Sequence, residues 1–190
     1  MSAGFKVSRI AGVRTVLRPI KMADVDHMTR WLNDPRVMPY WGGLSETRTR
    51  AQTVKWVRRF VTGKGPGLAC VVIQEDNTPV GFIEMAYDAG DANYGHKVEV
   101  DICIGEPARW DSGLGTDAMT ALLRWLFTST DIVRVFLQPR VVNARAVHVY
   151  EKVGFKREGI IKKGEKVDGV LYDCAMMAAL RDEWLAEFGR

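Results

Sequence analysis

Two glycines set two positions apart, Gly113 and Gly115, stand just before a run with helical spacing in RWDSGLGTDAMTALLRWLF, residues 109–127. Glycine lets a backbone come close to a ligand, and the first N–H groups of a helix are unpaired donors at the positive end of its dipole. Together they make an anion site, most naturally for a diphosphate. Taken alone, such a pair serves more often as a tight structural turn. It also lacks the third glycine of the Gly-x-Gly-x-x-Gly dinucleotide turn, and no opening β-α-β unit precedes it.

Two further stretches carry groups able to move protons. In NARAVHVYEKVGF, residues 143–155, Asn143 and Tyr150 are seven positions apart, two helical turns, so both can point the same way. By itself an Asn at a helix start is a cap, and a Tyr at that spacing belongs to the core with its hydroxyl at the rim. In KVEVDICIG, residues 97–105, alternation sets Val98, Val100, Ile102 and Ile104 on one face and Glu99, Asp101 and Cys103 on the other. From alternation alone, the carboxylate face is the solvated side of a half-buried strand.

The elements that must position these groups follow from pattern. The 190 residues fit one domain, 1–190, with 47% apolar and 26% charged residues, the balance of a soluble globular protein. Strands are expected over residues 12–20, in GLACVVIQ and PVGFIEMAYD around an EDNT turn, in KVEVDICIG, in VRVFLQP and in GVLYDCAMMAAL. Helices are expected in KMADVDHMTRWLND, in the long run after SETRT that closes at Gly63, after the glycine turn, over NARAVHVYEKVG and in the C-terminal RDEWLAEFGR. MPYWGG reads as an aromatic turn. The order predicts an α/β (α+β) fold, a mixed and mostly antiparallel sheet with helices on both faces. Cys70, Cys103 and Cys174 are isolated in apolar stretches, which points to inert thiols and no metal site. The net charge of +4 is interspersed and does not choose a partner by itself, being compatible with a phosphate-bearing ligand or weak nucleic-acid binding; nucleic acid is nonetheless not the expected partner. No apolar run is long enough for a signal peptide or a membrane span, which leads to the expectation of a cytoplasmic protein; the oligomeric state stays open.

KVEVDICIG, WDSGLGTDAM and NARAVHVYEKVGFKREG occur in the order and spacing of the GCN5-related N-acetyltransferases, and the chain resembles that family over residues 13–184. WLNDPRVMPYWGG looks like the opening of its aminoglycoside 6'-N-acetyltransferases. Trp110 with the glycine turn, and the ending MAALRDEW, look like the branch that also holds ribosomal-protein N-terminal acetyltransferases. The resemblance implies the GNAT fold and acetyl-CoA as cofactor. Gly113, Gly115 and the helix start around Ser112, Leu114 and Thr116 would take the diphosphate, and the backbone of Ile102, Cys103 and Ile104 the pantetheine arm. Asn143 would contact the pantetheine amides, and Tyr150 would lie near the thioester sulfur. The sequence departs from the family at Trp110, where Gln or Arg often touches phosphate, and at Ala146, where a small hydroxyl residue is common.

Acetyl transfer to an amine needs a neutral nucleophile, a stabilised carbonyl oxygen and a proton for the departing thiolate. The matching strand of aminoglycoside 6'-acetyltransferases carries an Asp at position 101, so Asp101 is the expected base, with Glu99 in reserve. A backbone N–H of residues 102–104 is the candidate for the oxygen. Tyr150, a phenol with an ordinary pKa of about 10, is the expected acid. The implied acceptor is a small cationic amine, an aminoglycoside, at its 6' or 2' amino group, bound by Tyr40, Trp41, Glu84, Asp88, Asp91, Glu99, Asp101 and Asp173. A ribosomal-protein N-terminus is the alternative acceptor, and a non-catalytic acetyl-CoA-binding module the alternative of another class.

Overall fold

A computed structural model describes residues 9–45, 47–62, 68–87 and 96–189. Asp88, Asp91 and the expected helix end at Gly63 lie outside the described residues. Among the described residues, eight strands form one sheet in the order β1-β2-β3-β4-β5-β6-β8-β7. They are β1 (Ile10–Ala11), β2 (Thr15–Pro19), β3 (Leu68–Glu75), β4 (Thr78–Tyr87), β5 (Lys97–Ile104), β6 (Arg134–Leu137), β7 (Lys156–Val167) and β8 (Val170–Leu180). Every neighbouring pair is antiparallel except β5 with β6, which is parallel. The expected mixed, mostly antiparallel sheet is the one observed.

Helices cover both faces. On one side α1 (Val25–Trp31), α2 (Met38–Trp41) and α3 (Arg50–Val61) pack Trp31, Leu32, Met38 and Val57 onto Val72, Phe82 and Cys103. On the other, α4 (Leu114–Ser129), α5 (Ala144–Lys152) and α6 (Arg181–Phe188) pack Met119, Leu122, Leu126, Tyr150 and Trp184 onto Ile83, Met85, Val98, Val100 and Val135. The apolar stripe of α4 recurs at steps of three and four, as a helix with one core-facing side requires. A reciprocal cap starts α3: Thr49 Oγ1 accepts from the Gln52 N–H while Gln52 Oε1 accepts from the Thr49 N–H. Among the described residues no helix is long and apolar enough to cross a membrane.

Three elements differ from the expectation. MPYW forms a four-residue helix rather than a turn. The bridge-like β1 adds two residues at the sheet edge. Lys156–Val167 is a full strand, although KREGIIKKGEKV shows no alternation. As the outermost strand it is solvated along most of its length, so no face had to be apolar.

The sheet splits where the chemistry is expected. β5 pairs with β6 only through Lys97↔Arg134, Val98↔Val135 and Glu99↔Phe136. Beyond Glu99, β5 stays with β4 as far as Gly81↔Ile104, while β6 stays with β8. The two limbs part, and one edge of residues 100–104 faces a cleft.

Candidate active site

The cleft has a volume of about 590 Å³ and runs from the glycine turn, past the free edge of β5, to the aromatic residues of α2. Ile102, Cys103, Ile104, Trp110, Gly113, Leu114, Gly115, Thr116, Asn143 and Tyr150 line it, and so do Tyr40, Trp41, Glu99 and Asp101.

The two glycines turn out to have different reasons. Gly113 caps α4 at φ 84°, a left-handed conformation that a side chain resists. Gly115 has no such need. A Cβ added there would meet Ile104 Cγ1 at 3.8 Å and Ile102 Cδ1 and Val149 Cγ1 at 4.0 Å, ordinary contacts with other cleft-lining residues. Neither backbone nor packing demands a glycine at 115. No side chain caps the helix start. The one acid in its first turn, Asp117, is turned away: its carboxylate accepts from the N–H groups of Val13, Arg14 and Thr15 and from Thr15 Oγ1, at 2.7–3.0 Å. The α4 N-terminus is thus left to the cleft, while Asp117 holds Arg14 beside the turn, where it donates to the Ser112 carbonyl.

Three arginines stand near this helix start. Glu75, buried, holds Arg14 at 2.7 Å and Arg109 at 3.0 Å. Arg145, from the first turn of α5, lays its guanidinium 4.0 Å from the Trp110 ring centre and 5.3 Å from that of Tyr40. Trp110 itself donates its indole N–H to the Ile104 carbonyl at 2.7 Å, packing against β5 instead of reaching outward. Ser112 does not line the cleft: its hydroxyl is spent on the Arg109 carbonyl at 2.6 Å. Asn143 caps α5, its Oδ1 accepting from the Ala146 N–H at 3.2 Å.

At the other end of the cleft, carboxylates crowd together. Asp101 is open to the cleft, yet protein surrounds it closely enough that lost solvation, with repulsion from Glu99 and Glu165, raises its pKa to about 6. Glu84 stands directly across from it on β4, on the same face of the sheet. Burial and the Asp101 charge raise Glu84 to about 7, against a smaller opposing pull from Arg48 and Arg59. The two acids face each other, so the protons come off the pair in coupled steps. Burial likewise raises Glu99.

Tyr150 is 5% exposed, and burial with nearby Asp101 pushes its hydroxyl pKa upward, so the phenol holds its proton across the physiological range. Cys103 keeps its expected face with the carboxylates, but that face is covered here: its side chain is buried among Phe82 and the N-terminal helices, and burial with the nearby Glu84 charge raises the thiol pKa. A thiol kept protonated is a poor nucleophile.

Among the described acids expected at the acceptor, Asp173 is turned elsewhere. It accepts from Lys162 Nζ at 2.8 Å and the Lys163 N–H at 2.9 Å, inside the β7–β8 hairpin and off the cleft wall. Glu84 lies beside the wall rather than in it. Trp41 does two jobs, resting edge-on against Phe82 at 4.8 Å while lining the cleft. Glu165, Arg140 and Arg145 line the cleft without having been singled out from sequence. Arg145, two residues past the Asn143 cap, carried a local signal; Arg140 and Glu165 meet only through the fold.

The sequence model of the acetyltransferase (GNAT) domain matches residues 14–156. Among individual proteins, the chain is 24% identical over 152 residues to aminoglycoside N(6')-acetyltransferase type 1 of Klebsiella pneumoniae, covering 76% of this chain and 75% of that protein. It is 25% identical over 180 residues to spermidine N(1)-acetyltransferase of Escherichia coli K12, covering 90% and 88%. Among solved structures it overlays on AAC(6')-Ib in complex with ribostamycin and coenzyme A with a TM-score of 0.78 at 21% identity, over 92% of this chain and 98% of that one.

Proposed function

This chain belongs to the GNAT acetyltransferase family, and on that premise we propose that it transfers the acetyl group of acetyl-CoA to an amino group of an aminoglycoside. The observation that carries the reading is that one cleft is lined by the carboxylates Glu99, Asp101 and Glu165 together with the aromatic rings of Tyr40 and Trp41. Carboxylates attract ammonium groups, and flat rings suit the apolar faces of sugars. A linear polyamine is the second reading, favoured by the similarity to the spermidine enzyme over more of the chain.

The chain fits the cofactor at several points. An uncapped helix start behind Gly113 and Gly115 suits a diphosphate, and the β5 edge past Glu99, which no neighbouring strand covers, suits an extended amide arm. Gly113, Leu114, Gly115 and Thr116 would hold the diphosphate, with Arg109 and Arg145 adding positive charge. Ile102, Cys103 and Ile104 would align the pantetheine through their backbone, and the Asn143 amide would donate to it. Bound acetyl-CoA supplies the activated acetyl thioester.

The proton chemistry belongs to the protein. Asp101, ionised above about pH 6, accepts the proton of the incoming ammonium, and Glu84 behind it shares the load. A backbone N–H of residues 102–104 lies on the strand edge where the carbonyl oxygen would gather charge. Tyr150 Oη holds the proton that a leaving thiolate requires. The test is thiol release from acetyl-CoA with a kanamycin-like acceptor: Asp101→Asn should lower turnover by at least about 100-fold while coenzyme A binding persists. Wild-type turnover in that variant removes Asp101 from the mechanism.

A further inference from the structure

The acceptor end of the cleft is roofed. The roof is residues 38–45, α2 and the loop that follows it, which pack Met38 and Trp41 on the β2–β5 limb and reach across to the β6–β8 limb. Two ties hold them there. Asp168, in the turn between β7 and β8, accepts from the Leu44 N–H at 2.7 Å, the Ser45 N–H at 3.0 Å and the Ser45 hydroxyl. Arg140, just past the end of β6, donates from Nη1 to the Pro39 carbonyl at 2.8 Å.

Arg140 does more than tie the roof. Its side chain is 7% exposed, its Nε lies 3.0 Å from Glu165 Oε2, and its guanidinium stands 5.4 Å from the centre of the Tyr172 ring. Both Arg140 and Glu165 line the cleft. Nothing in catalysis as described calls for a nearly buried cation among carboxylates that receive a cationic acceptor. A buried charge persists when its partners are fixed in place, and this one has partners on both limbs.

We propose that Arg140 is a positioning residue that sets acceptor selectivity: it fixes the aromatic wall and Glu165 at a constant separation across the split, so that an acceptor is held by one ammonium at Asp101 and a second at Glu165. The inference rests on the cationic-acceptor reading and sharpens it to amines with at least two charged nitrogens. A mono-amine fills only half of the site. The same contact keeps Glu165 from acting as a bare negative charge toward Asp101, which also faces Glu99 on its own strand, Glu84 on β4 and Tyr150 on α5, with Arg48 and Arg59 of α3 acting on Glu84.

The test uses Arg140→Met, Arg140→Lys, Glu165→Gln and the Arg140→Met/Glu165→Gln pair, with two readouts. The first is the titration of the Asp101 carboxyl, followed by carbon NMR without any acceptor and assigned with Asp101→Asn. Arg140→Met should move its midpoint to higher pH, because Glu165 loses its counter-charge; Arg140→Lys should hold it, and the double variant should return it to the wild-type value or below. The second readout is steady-state kinetics. Both Arg140 variants should raise KM for a di- or polyamine acceptor about tenfold or more, with KM for acetyl-CoA within about twofold and KM for a mono-amine little changed. Coenzyme A calorimetry shows that each variant is folded; should Arg140→Met fail to fold, Arg140→Lys alone still tests the KM split. An unmoved Asp101 midpoint in folded Arg140→Met, or an equal rise of every KM, overturns the proposal. If the midpoint moves as stated while no amine is acetylated by the wild type, the acceptor reading fails and the tie between Arg140 and Glu165 stands.

Discussion

The two glycines of the turn should respond to alanine with opposite signs of stability. At Gly113, φ is 84°, and a Cβ in left-handed backbone costs about 1–2 kcal/mol. For a domain of this size each kcal/mol moves the melting temperature by about 2–4 °C, so Gly113→Ala should melt about 2–8 °C lower. At Gly115 the nearest atom to an added Cβ is Ile104 Cγ1 at 3.8 Å, so the methyl fits. Alanine in a helical position is up to about 1 kcal/mol better than glycine, so Gly115→Ala should melt at the same temperature or a few degrees higher. That methyl nonetheless projects among Ile102, Ile104 and Val149, which line the cleft where the coenzyme is proposed to bind. Losing one charge-assisted hydrogen bond to phosphate costs about 1.5–3 kcal/mol, which is about 10- to 150-fold in affinity. Thermal melts and coenzyme A calorimetry on the same samples decide it. A Gly115→Ala protein that melts lower, or that binds coenzyme A as the wild type does, would refute the assignment of Gly115 to a ligand.

Tyr150→Phe keeps the ring contact with Phe155 at 5.8 Å and removes only the hydroxyl, so turnover should fall about 10²–10⁴-fold with coenzyme A affinity nearly intact, measured by thiol release and calorimetry. In the proposed mechanism Asp101 is the base and must be ionised, and its pKa is raised to about 6, so kcat/KM should fall as the pH drops below about 6; a pH profile flat to pH 5 would contradict this. Glu84, raised to about 7, binds its proton more tightly in the folded than in the unfolded chain, so stability declines as the pH rises from about 4.5 through about 7. Glu84→Gln should therefore raise the melting temperature at pH 8 and leave it nearly unchanged at pH 4.

Much of the fold was legible because its signals are local. The alternation of KVEVDICIG sets Val98 and Val100 on the α4 side, and the periodic apolar residues of α4 mark the helix that covers them. The same alternation placed Cys103 on the correct opposite face but misled about its solvation: helices from the N-terminal third cover that face, while Asp101 stays open beside the split from β6. β7 was invisible because an edge strand wet on both sides leaves no period to read. Asp173 looked like an acceptor ligand by charge alone, and its nearest cation proved to be Lys162 across the hairpin. The sequence also could not separate the roles of Gly113 and Gly115, a matter of one dihedral angle and one empty space. Nor could it join Arg140 to Pro39, 101 positions away, since only the topology brings them together.

The central claim is that the carboxylate and aromatic end of the cleft receives a small polycationic amine. It is tested most directly by thiol release from acetyl-CoA with purified protein against kanamycin-like and kasugamycin-like aminoglycosides, spermidine and ribosomal-protein N-terminal peptides at equal concentrations. The account predicts release with an aminoglycoside and none with the peptides, whereas release with peptides alone would contradict it.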